Sequence, residues 1–123
     1  MKKRIDIIGA GLAGSEAALQ LARRGFSVRL FEMRPFKETV VHKTSNCAEL
    51  VCSNSLKSLK SESAAGMLKR ELSKMGSVVL ECAYKAQVPA GGALAVDREV
   101  FSSLVTQAIR AEKNIEFVIA EVI

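Results

Sequence analysis

The segment Gly9-Ala10-Gly11-Leu12-Ala13-Gly14 sets three glycines at the spacing GxGxxG, and an acid, Glu32, follows 18 positions after the last of them. That pattern suits the pyrophosphate and ribose of a dinucleotide. Gly9 permits a tight turn, Gly11 omits the Cβ that would hold a phosphate off the backbone, and Gly14 lets a helix pack closely on a strand. A helix beginning here would turn free N–H groups and its positive dipole end toward the phosphates, with Ala10, Leu12 and Ala13 completing the loop. Glu32 can accept from ribose hydroxyls, and its charge disfavours a 2′-phosphate, so NADP is a poor ligand for this particular loop. Arg34 carries two readings: contact with the adenosine or a phosphate, or a solvated side chain.

The second chemical candidate is Cys52, within Ala48-Glu49-Leu50-Val51-Cys52-Ser53-Asn54-Ser55-Leu56-Lys57. Its small polar neighbours leave room for a substrate or a flavin. A thiolate there would be a nucleophile if a positive neighbour lowered its pKa; an incidental thiol is the alternative. Cys47 and Cys82 are weaker candidates, and His42 reads as a polar loop residue. Three cysteines, an odd number, argue against a disulfide framework and fit a reduced, cytoplasmic chain. With no CxxC and a single histidine, no metal site is expected.

These candidates need elements to hold them. Ile5, Ile7 and Ile8 read as a short buried strand. Ser15 to Arg24 reads as a helix with Ala18, Leu21 and Ala22 on one face, closed by Gly25 in a left-handed cap. Ser27 to Glu32 reads as a second strand, giving a β-α-β unit over 1–32. The stretch 33–63 is polar and loop-rich, and loops of that length are usually functional or disordered. Leu68, Leu72, Met75, Val79 and Cys82 follow helical spacing, predicting one helix with a buried stripe, capped by Ser61 or Ser63. A helix-turn-strand split at Gly76 is the alternative. Lys69, Arg70 and Lys74 would lie on the other face, which with Lys57 and Lys60 is either solvated or turned toward RNA. The run Val88 to Val96, poor in bulky and charged side chains, predicts a tight hairpin or a backbone laid against something flat. Asp97 should cap a helix from Arg98 to Arg110, with Phe101, Leu104, Val105, Ala108 and Ile109 inward. Ile115 to Val122 should be a last strand.

The composition agrees with a folded domain. The chain has 123 residues, 49% hydrophobic and 25% charged, with a formal net charge of +5. It has ample apolar material for a modest core. No apolar run approaches the ~20 residues of a membrane span, and Asp6, Gly9 and Gly11 break the apolar stretch that a signal peptide would need after Lys2-Lys3-Arg4. The positive charge permits an RNA partner without demanding one.

Four segments together resemble the TrmFO family of folate- and FAD-dependent tRNA (uracil-5-)-methyltransferases: Ile8 to Ala18, Phe31-Glu32-Met33-Arg34-Pro35, Glu49-Leu50-Val51-Cys52-Ser53-Asn54-Ser55-Leu56, and Val88 to Arg98. The resemblance covers essentially the whole chain. It implies an α/β, Rossmann-type FAD-binding domain of the GR2-like flavoprotein fold, here incomplete, with 1–123 as its N-terminal part and 64–123 forming helices and a returning strand. It implies that Gly9 to Gly14 cradle the FAD pyrophosphate and that Glu32 holds the ribose. Cys52 matches the family's Cys-Ser-Asn-Ser motif, a cysteine implicated at the flavin. Methylenetetrahydrofolate would give the one-carbon unit, NAD(P)H the electrons, and C5 of a T-loop uridine in tRNA would receive the methyl group. Family members are several times longer, so this chain alone is expected to have little or no methyltransferase activity. An incomplete sheet would leave Ile115–Val122 or a neighbour as an apolar edge. The competing readings are a flavoprotein that modifies the tRNA wobble uridine, a generic flavin oxidoreductase, and a non-catalytic nucleotide-binding module.

Overall fold

A computed structural model of the chain describes residues 3–37 and 39–123. Its elements run in the order β1 (Arg4–Ile8), α1 (Leu12–Arg23), β2 (Ser27–Glu32), β3 (Ser55–Ser58), α2 (Ala64–Lys74), α3 (Val78–Lys85), β4 (Gln87–Val88), β5 (Ala93–Val96), α4 (Arg98–Ala111) and β6 (Ile115–Ile119).

Two sheets result. The first is parallel, in the order β1-β2-β6. Its register sets Ile7 beside Leu30 and Leu30 beside Phe117. A parallel pair cannot be joined by a hairpin, so α1 crosses between β1 and β2. Everything from 33 to 114 lies in the connection from β2 to β6. The second sheet is antiparallel, in the order β3-β5-β4. Val28 and Leu30 on β2, Ala18, Leu19 and Ala22 on α1, and Phe101, Val105 and Ile109 on α4 form the centre of the core. Leu104 and Ala108 pack against it, half-buried. No helix among the described residues is long and apolar enough to cross a membrane.

Several expectations from sequence hold. Strand β2 has the expected bounds. Gly25 takes φ +91° after α1, and its N–H donates to the Ala22 carbonyl. The Val88–Val96 run is a hairpin, β4 pairing with β5. Asp97 caps α4 by accepting from the Val100 N–H at 3.0 Å. Ser63, of the two serines proposed, caps α2 by accepting from the Gly66 N–H.

Others are corrected. Helix α1 begins at Leu12 rather than Ser15, because Gly11 takes the N-cap position and the fingerprint residues form the first turn. The single helix expected over Leu68 to Cys82 is two, and the alternative split into helix and strand is not found either. Gly76, at φ +78°, ends the first, and Ser77 starts the second by accepting from the Leu80 N–H. The expected buried stripe is therefore broken: Cys82 is buried, but Leu68 is 55% and Met75 72% exposed. Lys69 leaves the basic face; it is buried, with Nζ donating to the Ser58 and Ala65 carbonyls, and burial lowers its pKa. The 33–63 stretch carries β3, whose partner β5 comes from the hairpin. The last strand stops at Ile119. Strands β1 and β6 form the two edges of the parallel sheet, with Ile8 69% and Ile119 39% exposed.

Candidate functional site

The site grows from the end of β1. Gly9 has φ +97°, a conformation that only glycine adopts freely, and its N–H donates to the Phe31 carbonyl at 2.8 Å. The loop is thereby fastened to β2 before α1 begins. Gly14 meets the turn from the other side: a Cβ there would lie 1.9 Å from the Gly9 carbonyl oxygen, so only hydrogen fits. A Cβ at Gly11 would meet nothing within 4 Å. Packing does not require glycine at 11, and the backbone there is open to a ligand.

Helix α1 has no side-chain cap. The first N–H to find a helical partner is that of Ser15, donating to Gly11 at 3.0 Å. The N–H groups of Leu12, Ala13 and Gly14 have no hydrogen-bond acceptor among the described residues, and Gly11, Leu12 and Ala13 are exposed. Unsatisfied donors on an exposed first turn are the physical basis of anion binding at a helix start. The residues present thus fit a dinucleotide pyrophosphate.

Ala10 is held on all sides. Its N–H donates to Glu32 Oε1 at 3.3 Å. Its carbonyl accepts from Ser15 Oγ at 3.3 Å and from the Ala48 N–H at 2.8 Å. Ala48 is fully buried and left-handed, at φ +54°. Such conformations in non-glycine residues are held by their surroundings and gather at functional sites.

Beneath the loop lies an ion network. Arg34, 3% exposed, donates through Nε to Glu32 Oε2 at 2.6 Å. Its other nitrogens reach Glu49 Oε2 at 2.9 Å, the Thr44 carbonyl at 2.9 Å and the Asn46 carbonyl at 3.2 Å. Glu49 Oε1 accepts from the N–H groups of Lys43 and Thr44. Burial pushes the Glu32 carboxyl upward, but the Arg34 hydrogen bond, the Ala10 N–H and the Arg34 charge outweigh it, so its pKa is lowered. The reading of Arg34 as a solvated side chain is corrected: two carboxylates and two carbonyls draw it inward. The sequence patterns assign Glu49 no role of its own. Its signal was an acid in a polar stretch that also holds Arg34, a cation without an obvious partner.

Cys52 is exposed. It sits four residues after Ala48, and so within ~14 Å of that anchor on the glycine loop. Two residues on, Asn54 is pinned to β5, its carbonyl accepting from the Val96 N–H and its Nδ2 donating to the Val96 carbonyl. Cys47 and Cys82 are buried, and burial is the largest cause raising both thiol pKa values. Burial and a raised pKa both weigh against nucleophilic chemistry at either thiol. His42 shares its Nδ1 with the Thr39 hydroxyl, a local loop contact. No group of three or more His, Cys, Asp or Glu among the described residues could hold a metal ion. An apolar groove of about 310 Å³ between α1 and the α2–α3 turn contains none of the glycine-loop or Glu32-network residues.

A parallel sheet crossed by a helix, with a glycine turn and a carboxylate at the tips of adjacent strands, defines a Rossmann-type α/β protein whose loop suits a dinucleotide. The family model described as Glucose inhibited division protein A matches residues 4–123, and the chain belongs to that family. It is 58% identical over 120 residues to methylenetetrahydrofolate–tRNA-(uracil-5-)-methyltransferase TrmFO of Syntrophomonas wolfei, covering 98% of this chain and 28% of that protein. It is 54% identical over 122 residues to the protein of the same name from Aquifex aeolicus, covering 99% and 27%. The chain thus spans little more than a quarter of the length of the curated relatives it matches. Among solved structures, Aquifex aeolicus GidA superposes with a TM-score of 0.75 at 17% identity, over 95% of this chain and 19% of that one. At that identity the likeness shows the fold alone: a Rossmann-like α/β architecture.

Proposed function

We propose that this chain forms the FAD-anchoring part of a methylenetetrahydrofolate–tRNA-(uracil-5-)-methyltransferase. The observation that carries this reading is the 54–58% identity, over nearly the whole chain, to proteins of that name. The glycine loop supports it, with its unsatisfied amides and its open Gly11 face. In this reading the N–H groups from Gly11 to Gly14 hold the FAD pyrophosphate, with Gly9 and Ala10 shaping the turn. Glu32 accepts from a ribose hydroxyl. Cys52, exposed two residues before the pinned Asn54, is the thiol assigned to the reaction in this reading, acting on the substrate or guarding the flavin.

Bound FAD would supply two electrons, taken from NAD(P)H, to bring a folate-borne one-carbon unit from the methylene to the methyl level. The methyl group would replace the C5 hydrogen of a T-loop uridine, released as a proton. Folate, tRNA and a cytoplasmic setting belong to the whole protein, and the 123-residue chain alone is expected to transfer little or no methyl. A wobble-uridine reaction is the second reading; the likeness to GidA, at 17% identity, speaks for the fold only and does not choose between them.

The test is a protein of the relatives' length that contains this sequence. It is incubated with FAD, NADPH or NADH, unmodified tRNA and methylenetetrahydrofolate labelled in the methylene carbon. Label on C5 of a T-loop uridine supports the proposal. Label on the wobble uridine favours the second reading, and flavin turnover with no label in tRNA favours a generic oxidoreductase.

A further inference from the structure

Arg34 stands two residues from the ribose-binding candidate Glu32, where a direct contact to the nucleotide would be the simplest role. The geometry points elsewhere. We infer that Arg34 is a positioning residue: without touching the dinucleotide, it fixes the Glu32 carboxylate and holds segment 43–49 on the glycine loop, so the adenosine ribose is recognised through it at one remove. This inference rests on the assignment of FAD to that loop.

The argument is one of donors and acceptors. A guanidinium has five N–H donors. Arg34 directs four hydrogen bonds into the protein, to Glu32, Glu49, Thr44 and Asn46. Its side chain is 4% exposed, which leaves it almost no surface for a phosphate. Glu32 is complementary. Its Oε2 is taken by the Arg34 Nε and N–H, and among the described residues its Oε1 holds only the Ala10 N–H at 3.3 Å. A carboxylate offers about four acceptor positions, so Oε1 keeps one for a hydroxyl, aimed by the bond that Arg34 makes to the other oxygen.

The second half of the role follows from Glu49. Arg34 bridges two carboxylates, one at the tip of β2 and one in the 43–49 segment. Ala48, next to Glu49, is the residue whose N–H holds the Ala10 carbonyl. Without the guanidinium, two poorly solvated carboxylates would share one site with no cation, and one would take up a proton. A protonated Glu32 accepts less well, and a loosened 43–49 segment releases Ala10. Lysine would not substitute, since a point charge lacks the fork that reaches four acceptors.

The experiment compares FAD with its analogue lacking the 2′-hydroxyl of the adenosine ribose, on the wild-type chain and on Arg34→Gln, Arg34→Lys and Glu49→Gln. A hydrogen bond to a charged carboxylate predicts that the wild type prefers FAD by about tenfold or more. Both Arg34 variants are expected to lose that preference, falling below about twofold, and to exchange the Ala10 and Ala48 amides faster without ligand. Glu49→Gln keeps the Arg34–Glu32 pair, so it should speed exchange at Ala48 yet retain the hydroxyl preference. It also serves if the Arg34 variants do not fold. Folded Arg34 variants that weaken FAD and its analogue equally, keeping the preference, would overturn the inference and put Arg34 on the phosphates or in a purely structural role. A wild-type chain that binds neither molecule would overturn the FAD assignment together with this inference.

Discussion

The Ala48 N–H donates to the Ala10 carbonyl at 2.8 Å, across 38 positions of sequence. The bond lays the polar segment after β2 on the glycine turn. That segment has little regular structure, yet Glu49 and Arg34 organise it from within. The loop that faces the ligand is therefore buttressed from behind by residues that carry no dinucleotide fingerprint.

Two neighbouring glycines should respond differently to the same substitution. Gly14→Ala forces a Cβ to 1.9 Å from the Gly9 carbonyl, and overpacking against backbone costs about 1–3 kcal/mol. Its melting temperature should fall by several degrees or more. Gly11→Ala meets no atom within 4 Å, so its stability should stay within about 0.5 kcal/mol of wild type, while FAD affinity drops at least about tenfold. Thermal melts and FAD titrations on both variants check the pair. Equal loss of stability in the two would contradict the geometry.

That contrast marks how much was legible beforehand. The glycine spacing, the β-α-β unit, Glu32 and the Asp97 cap are local patterns, and local patterns survive in sequence. The α2–α3 break was only half visible, because Leu68 to Cys82 keeps helical spacing straight through Gly76 and Ser77. What fixes the break is tertiary: Gln20 donates to the Gly76 carbonyl, and Glu16 accepts from the Ser77 hydroxyl and the Val78 N–H. Lys69 was hidden for the same reason, since the Ser58 carbonyl that draws it in comes within reach only once β3 and α2 have packed. The Arg34–Glu49 pair needed the chain to double back over 15 positions with no periodic signal to announce it.

Glu16 is a scaffold residue, and its loss should be felt as such. Glu16→Ala removes the acceptor for the start of α3, at a cost of about 1–2 kcal/mol. Chemical denaturation should show the loss, and an FAD titration of the folded variant should show unchanged affinity. Weakened FAD binding would mean that the α2–α3 turn communicates with the glycine loop.

Stability should depend on pH through Glu32. Its folded pKa is lowered, so its contribution is fully present above the ordinary glutamate range and fades as pH falls through the folded value. In Arg34→Gln, burial acts without the opposing cation and the Glu32 pKa rises. The contribution then reverses sign, being lost as pH increases. The stability gap between wild type and Arg34→Gln should therefore widen from about pH 3 to about pH 7. Urea midpoints across that range give the answer, and a gap independent of pH would contradict the ion network.

The three thiols should separate by exposure. Cys52 is exposed, whereas Cys47 and Cys82 are buried with pKa values raised chiefly by burial. A thiol reagent should label one cysteine quickly in the native chain and all three in denaturant. Cys52→Ser should abolish the fast phase and leave the melting temperature within a few degrees of wild type. A fast phase surviving in Cys52→Ser would place another thiol at the surface.

The central claim is that residues 9–14 and Glu32 anchor the adenosine diphosphate half of FAD. The most direct measurement is calorimetric titration of the chain with FAD, with ADP and with FMN. The account predicts saturable binding of FAD, competition by ADP, no detectable binding of FMN, and loss of FAD binding in Gly11→Ala without loss of fold. FMN binding as well as FAD, or FAD affinity unchanged in Gly11→Ala, would contradict it.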